Sequence, residues 1–200
     1  MKYFPDREMF RQKAEKGTLI PVCHELAADL DTPVSVFLKL GQEPPIFLLE
    51  SVERGENLGR YSFLGLGHSE IIECRGRQAL IWNGAQQRRI TLSSKRDPLH
   101  LIQETLQQRR TIKVPGLPPF CGGAVGYLAY DTVNFFEELP QPAHDELRLP
   151  DAVFLFTDTM LAFDHVQHKM KIIANAYVDG NADRAYDEAV AKIERVIETL

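Results

Sequence analysis

Apolar residues follow two spacings along this chain. In four stretches they recur every three or four positions, the helical period; elsewhere they form short runs or alternate, as strands do. Residues 7–16 are predicted as a helix, with Asp6 at the N-cap and Gly17 just past the end. Residues 18–24 read as a strand. Asp31-Thr32-Pro33 opens a second helix, with Thr32 as cap and Pro33 where its missing N–H does no harm; Gly41 closes it. After a turn at residues 42–45, residues 46–52 form a strand apolar on both faces, followed by a polar loop at 53–60. Further strands are expected at 61–66 and 70–74. Residues 79–82 and 87–92 flank Asn83-Gly84, a strong hairpin signal. Asp97-Pro98 opens a helix that carries Leu99, Ile102, Thr105 and Leu106 and runs to about Arg110. Residues 114–119 are proline-rich and extended, 120–130 a strand of small residues, and 131–150 an acidic irregular loop. Residues 152–163 and 169–177 make a long hairpin turning at 164–168. Asn181 caps a last helix with Ala185, Ala189, Val190, Ile193, Val196, Ile197 and Leu200 on one face.

Strands fill the middle with no regular strand–helix–strand alternation. The fold class expected is therefore α+β, a largely antiparallel β-sheet or sandwich with flanking helices. At 200 residues the chain suits one good-sized domain, or one domain plus an extension. Its last apolar stripe reaches Leu200 without a glycine or proline stop, the ending expected of a chain divided between domains.

Composition narrows the function. Charged residues make up 26% of the chain, a globular value that excludes a disordered tail. The net charge of −5 argues against nucleic acid, and the pairs Arg88-Arg89 and Arg109-Arg110 read as solvated surface. Cys23, Cys74 and Cys121 are widely spaced and odd in number, as free thiols in a reducing compartment are. No apolar leader follows Met1 and no run has the length of a membrane span, so a soluble cytoplasmic protein is expected, without a membrane partner.

Motifs for chemistry are few. There is no phosphate loop, dinucleotide fingerprint or nucleophile elbow. His165 and His168 stand at an expected hairpin tip, and two histidines make a poor metal site. No catalytic and no metal-ligating residue is assigned. Gly122, Ala124 and Gly126 share a strand face; tight packing is the favoured reading, close approach of a ligand the other. Glu50 shares a strand face with Ile46, Leu48 and Val52. If that face is interior, the carboxylate needs a cation, such as Arg54, Arg60 or a ligand ammonium. Ser51 points the other way in a regular strand, so both side chains reach one small ligand only if the strand bulges or ends there. Gly65 and Gly67 leave a gap that could floor a pocket. From the residues alone, Glu50 and Ser51 read more readily as the start of a solvated loop.

Phe47-Leu48-Leu49-Glu50-Ser51-Val52-Glu53, followed by Gly59-Arg60-Tyr61-Ser62-Phe63-Leu64-Gly65, closely resembles the N-terminal region of anthranilate synthase component I. Asp31-Thr32-Pro33-Val34-Ser35-Val36-Phe37 and the stretch from Phe120-Cys121-Gly122-Gly123 to Ala129-Tyr130-Asp131 resemble the same family, in the same order. The resemblance implies a lyase of tryptophan biosynthesis that converts chorismate to anthranilate and pyruvate. It implies a need for Mg2+, ammonia from a glutamine amidotransferase subunit (component II), and feedback inhibition by L-tryptophan. It further implies that residues 1–200 are the regulatory, tryptophan-sensing domain. Leu49, Glu50 and Ser51 then become candidates for the inhibitor site, with Arg60 a weaker one. The chorismate- and Mg2+-binding domain is expected outside this chain, so these residues alone should be inactive. The alternatives are the equivalent domain of a sister chorismate enzyme, such as aminodeoxychorismate synthase component I or isochorismate synthase, and a non-catalytic binding or scaffold domain.

Overall fold

The computed structural model describes residues 1–40, 47–51, 59–140 and 145–200. The chain forms two compact units. The first comprises residues 1–68, 109–123 and 157–200; the second comprises residues 69–108 and 124–156.

The first unit opens with α1 (Arg7–Ala14), whose N-cap Asp6 accepts from the Met9 amide at 2.8 Å. Strand β1 (Leu19–Ala27) follows, then α2 (Pro33–Lys39). Thr32 and Ser35 satisfy each other's backbone amides across the first turn of α2, so the capping signal is used in full. β2 (Phe47–Leu49) pairs antiparallel with the start of β3 (Tyr61–Arg75), placing Leu49 opposite Phe63 and Phe47 opposite Gly65. β7 (Ala152–Asp164) and β8 (Lys169–Tyr177) form the long hairpin expected, and β8 pairs along its whole length with β1. The strand order here is β1, β8, β7, β3, with β2 on β3.

One face of β1 and β8 packs under α1 and the last helix, α4 (Ala182–Thr199). Asn181 caps α4 by accepting from the Arg184 amide, and Ala185, Ala189, Ile193 and Val196 turn inward as the 3.6-residue period requires. Ile193 is fully buried, which contributes on the order of 2 kcal/mol. The opposite face buries Cys23, Met160, Ala162 and Ile173 against Phe63 and Phe120, whose rings meet edge to face at 5.3 Å. β8 is thus apolar on both sides.

The second unit takes the far end of β3, then β4 (Gln78–Asn83), β5 (Gln86–Thr91), α3 (Pro98–Gln108), β6 (Gly123–Leu128) and a 3-10 helix at Tyr130–Phe135. Its core gathers Ile72, Cys74, Ile81, Leu101, Ile102 and Phe156. The fold class is the α+β arrangement expected, with every registered strand pair antiparallel.

Several local expectations change. Residues 61–66 and 70–74 belong to one 15-residue strand. The hairpin turn lies one residue later than Asn83-Gly84: Asn83 still pairs with Gln86, so Gly84 and Ala85 are the loop, with Gly84 at φ +58°. Gly126 packs so closely on β7 that a Cβ there would overlap the Val153 carbonyl oxygen, so close packing accounts for it. The gap at Gly65 is filled by the Phe47 ring, and the space at Gly67 is met by Asp158, so neither glycine floors the pocket around Glu50. Gly41, the turn at 42–45, the strand ends Ile46 and Val52, Arg54 and most of the loop at 53–60 lie outside the described residues.

Candidate functional site

Glu50 and Ser51 follow the last residue of β2, and both are exposed. The strand therefore ends where one small ligand could reach both side chains, and the interior carboxylate considered from the sequence is not formed. They line a cavity of about 800 Å³. Its other walls come from the segment joining β1 to α2 (Asp29, Asp31) together with Pro33 at the start of α2, and from the tip of the β7–β8 hairpin (Asp164, His165, His168). The two walls are tied together where the Ala28 amide donates to the His168 carbonyl at 3.0 Å. Leu49, 44% exposed at the end of β2, and Arg60 are not among the lining residues.

Arg60 is instead committed to Asp164. Its Nε lies 3.1 and 3.2 Å from the two carboxylate oxygens, and its Nη2 lies 2.6 Å from Oδ2. The Asp164 side chain is only 5% exposed. Its Oδ1 also accepts from the amides of Val166 and Gln167, which shapes the hairpin tip. Burial alone would push the Asp164 carboxyl up; the hydrogen bonds from Arg60 and from those two amides outweigh it and hold the carboxyl below the ordinary carboxylate range. Beside it, Ser62 Oγ, itself buried, stands 2.7 Å from His165 Nε2, and the His165 amide donates to the Arg60 carbonyl at 2.9 Å.

The site is acidic. Among the described residues its lining presents the carboxylates of Asp29, Asp31, Glu50 and Asp164 and the single ammonium of Lys169. Asp31 is paired with Lys39 at 2.7 Å, and Lys169 with Glu25 at 2.6 Å. Asp29 and Glu50 have no ion-pair partner among the described residues, so a ligand cation would meet two uncommitted carboxylates. Pro33, Phe163 and Val166 supply apolar surface. Among the described residues no three His, Cys, Asp or Glu side chains stand together as a metal site, and no helix is long and apolar enough to cross a membrane.

Sequence reasoning found Glu50 and Ser51 through a local motif. It missed Asp29, Asp31, Ser62 and Asp164 as members of the site. They come from three other segments, and only the pairing of β1, β3, β7 and β8 brings them together.

Residues 45–199 of this antiparallel α+β chain match the family described as chorismate binding enzyme. The chain belongs to that family. It is 36% identical over 196 residues to anthranilate synthase component 1 of Acetivibrio thermocellus, covering 97% of this chain and 39% of that relative. It is 40% identical over 196 residues to anthranilate synthase component 1 of Mycobacterium tuberculosis, covering 94% of this chain and 37% of the relative. The crystal structure of anthranilate synthase component I from Streptococcus pneumoniae shares the fold, with a TM-score of 0.54 at 23% identity, over 86% of this chain and 36% of that one. The resemblance to anthranilate synthase component I therefore holds. The chain spans about two-fifths of the length of the curated relatives it matches. The family match spans residues 45–199 and assigns no individual residue of this chain to chorismate.

Proposed function

We propose that this chain is the regulatory region of an anthranilate synthase component I, and that the cavity beside Glu50 and Ser51 receives L-tryptophan as a feedback inhibitor. The reaction of the whole enzyme, chorismate plus ammonia to anthranilate and pyruvate, belongs to residues beyond these 200. So do the contacts to Mg2+ and to the glutamine amidotransferase subunit; no residue here is assigned to either. On this reading the 200 residues alone have no synthase activity.

The observation that carries the proposal is the charge of the cavity. Chorismate is a dianion, and among the described residues the lining offers it no uncommitted cation: Lys169 is paired with Glu25, while the carboxylates of Asp29 and Glu50 have no ion-pair partner and repel it. A free amino acid brings an ammonium that Glu50 and Asp29 can accept, a carboxylate that the Ser51 hydroxyl and the hairpin-tip histidines can meet, and a ring for the apolar walls. Inhibition then requires that tryptophan bind one conformation of the enzyme better than another.

The test is a tryptophan inhibition curve on the complete enzyme with its amidotransferase subunit. Ser51→Phe and Glu50→Lys should each raise the half-inhibitory concentration by about tenfold or more, with uninhibited activity retained. Unchanged sensitivity in both variants would remove the site from the account. The same region of a sister chorismate enzyme remains the second reading; a purified enzyme that makes a different product would select it.

A further inference from the structure

We infer that Arg60 acts on the cavity through Asp164, as a positioning residue that holds the hairpin-tip wall, and does not itself contact the ligand. The inference rests on the reading of the cavity as an amino-acid site, but its structural half stands apart from any ligand.

An arginine nine to ten residues from Glu50 and Ser51 is an obvious partner for an amino acid's carboxylate. The geometry points elsewhere. Both carboxylate oxygens of Asp164 are engaged by the guanidinium, in a bidentate arrangement that fixes its plane as well as its position. The guanidinium also lies over the Tyr61 ring, 5.0 Å from its centroid. Turning Arg60 toward a ligand would break three charge-assisted contacts and leave a carboxylate that is 5% exposed without its cation. That loss is not matched by one new ion pair at an open cavity.

The same pair organises the wall. Asp164 Oδ1 accepts from the Val166 and Gln167 amides, so Asp164 ties Arg60 to the turn at residues 165–168. The His165 amide donates back to the Arg60 carbonyl, and Ser62, two residues on, meets the His165 ring. Arg60 and the first residues of β3 thus clamp the segment that presents Asp164, His165, Val166 and His168 to the cavity. Arg60 is behind that wall.

Two readouts on the 200-residue chain test this. The first is amide hydrogen exchange without ligand. Arg60→Gln should speed exchange of the Val166 and Gln167 amides by about tenfold, with α4 amides unchanged. Asp164→Asn should do the same, and the double variant no more than either single one. The second compares titrations with L-tryptophan and with its carboxamide, followed by NMR. Arg60→Gln should weaken both by the same factor, because the ligand carboxylate never met Arg60. Unchanged exchange at residues 166 and 167 overturns the inference, and so does a variant that weakens tryptophan alone. Where Arg60→Gln fails to fold, Arg60→Lys, which keeps the charge and loses the bidentate fork, gives the same comparison. A wild-type chain that binds neither ligand refutes the amino-acid site and leaves the clamp to be judged by exchange alone.

Discussion

Ser62 Oγ lies 2.7 Å from Nε2 of His165, a contact between the start of β3 and the tip of the β7–β8 hairpin, which are 103 residues apart in sequence. With the neighbouring Arg60–Asp164 pair it fixes one wall of the cavity that Glu50 and Ser51 enter from the other side. A wall held in this way has less left to order when a ligand arrives.

The clamp should have an acid signature. The folded-state carboxyl of Asp164 is held below the ordinary value of about 3.9, so its stabilisation is fully present above that pH and is lost as pH falls through the lower folded-state value. Asp164→Asn should therefore be less stable than wild type at neutral pH, and the gap should narrow as pH drops below about 4. Urea unfolding midpoints at a series of pH values give the measurement. A gap that is constant with pH would mean that the fold does not favour the ionised form of Asp164, and would contradict the clamp.

Glu50 and Ser51 are exposed, so their replacement should cost little stability. Glu50→Lys should unfold within about 0.5 kcal/mol of wild type while losing tryptophan sensitivity. A large drop in stability would assign Glu50 a structural role and leave the loss of sensitivity without meaning.

Close packing predicts a different pattern at two glycines. A Cβ at Gly126 would overlap backbone atoms of Val153 and Phe154, so Gly126→Ala should cost about 2–3 kcal/mol. At Gly65 the obstacle is the side chain of Phe47, which can rotate, so Gly65→Ala should cost less. Thermal denaturation of the two variants orders them; a reversed order would misplace the contacts of β6.

The cysteines should be quiet. Burial pushes the Cys23 and Cys74 thiols up to about 11, and it raises Cys121 as well, so little thiolate exists at neutral pH. Labelling by a thiol-reactive disulfide should be far slower in the folded chain than after unfolding. Fast stoichiometric labelling of the folded chain would contradict the burial.

The sequence made some of this legible and hid the rest, for physical reasons. Asp6, Thr32 and Asn181 are helix caps whose chemistry is local, and each caps the helix expected of it. The hairpin of β7 and β8 was legible from two apolar runs with a polar break. The single long strand β3 was not, because Gly67 and His68 interrupt its apolar pattern while the pairing continues. Glu50 and Ser51 could be picked out by motif, and their exposure, expected from the residues as the start of a solvated loop, follows from where β2 stops. Arg60 could be named and its partner could not: Asp164 is 104 residues away, and nothing local to either residue marks the pair.

The central claim, an amino-acid site at the end of β2, is tested most directly by NMR titration of the labelled chain with L-tryptophan and, separately, with chorismate. Chemical shifts register even weak binding. The account predicts that tryptophan moves the amide signals of Ser51, His165 and His168 together with one affinity, and that chorismate leaves them in place. Signals that move with chorismate, or that stay fixed with tryptophan, would contradict it.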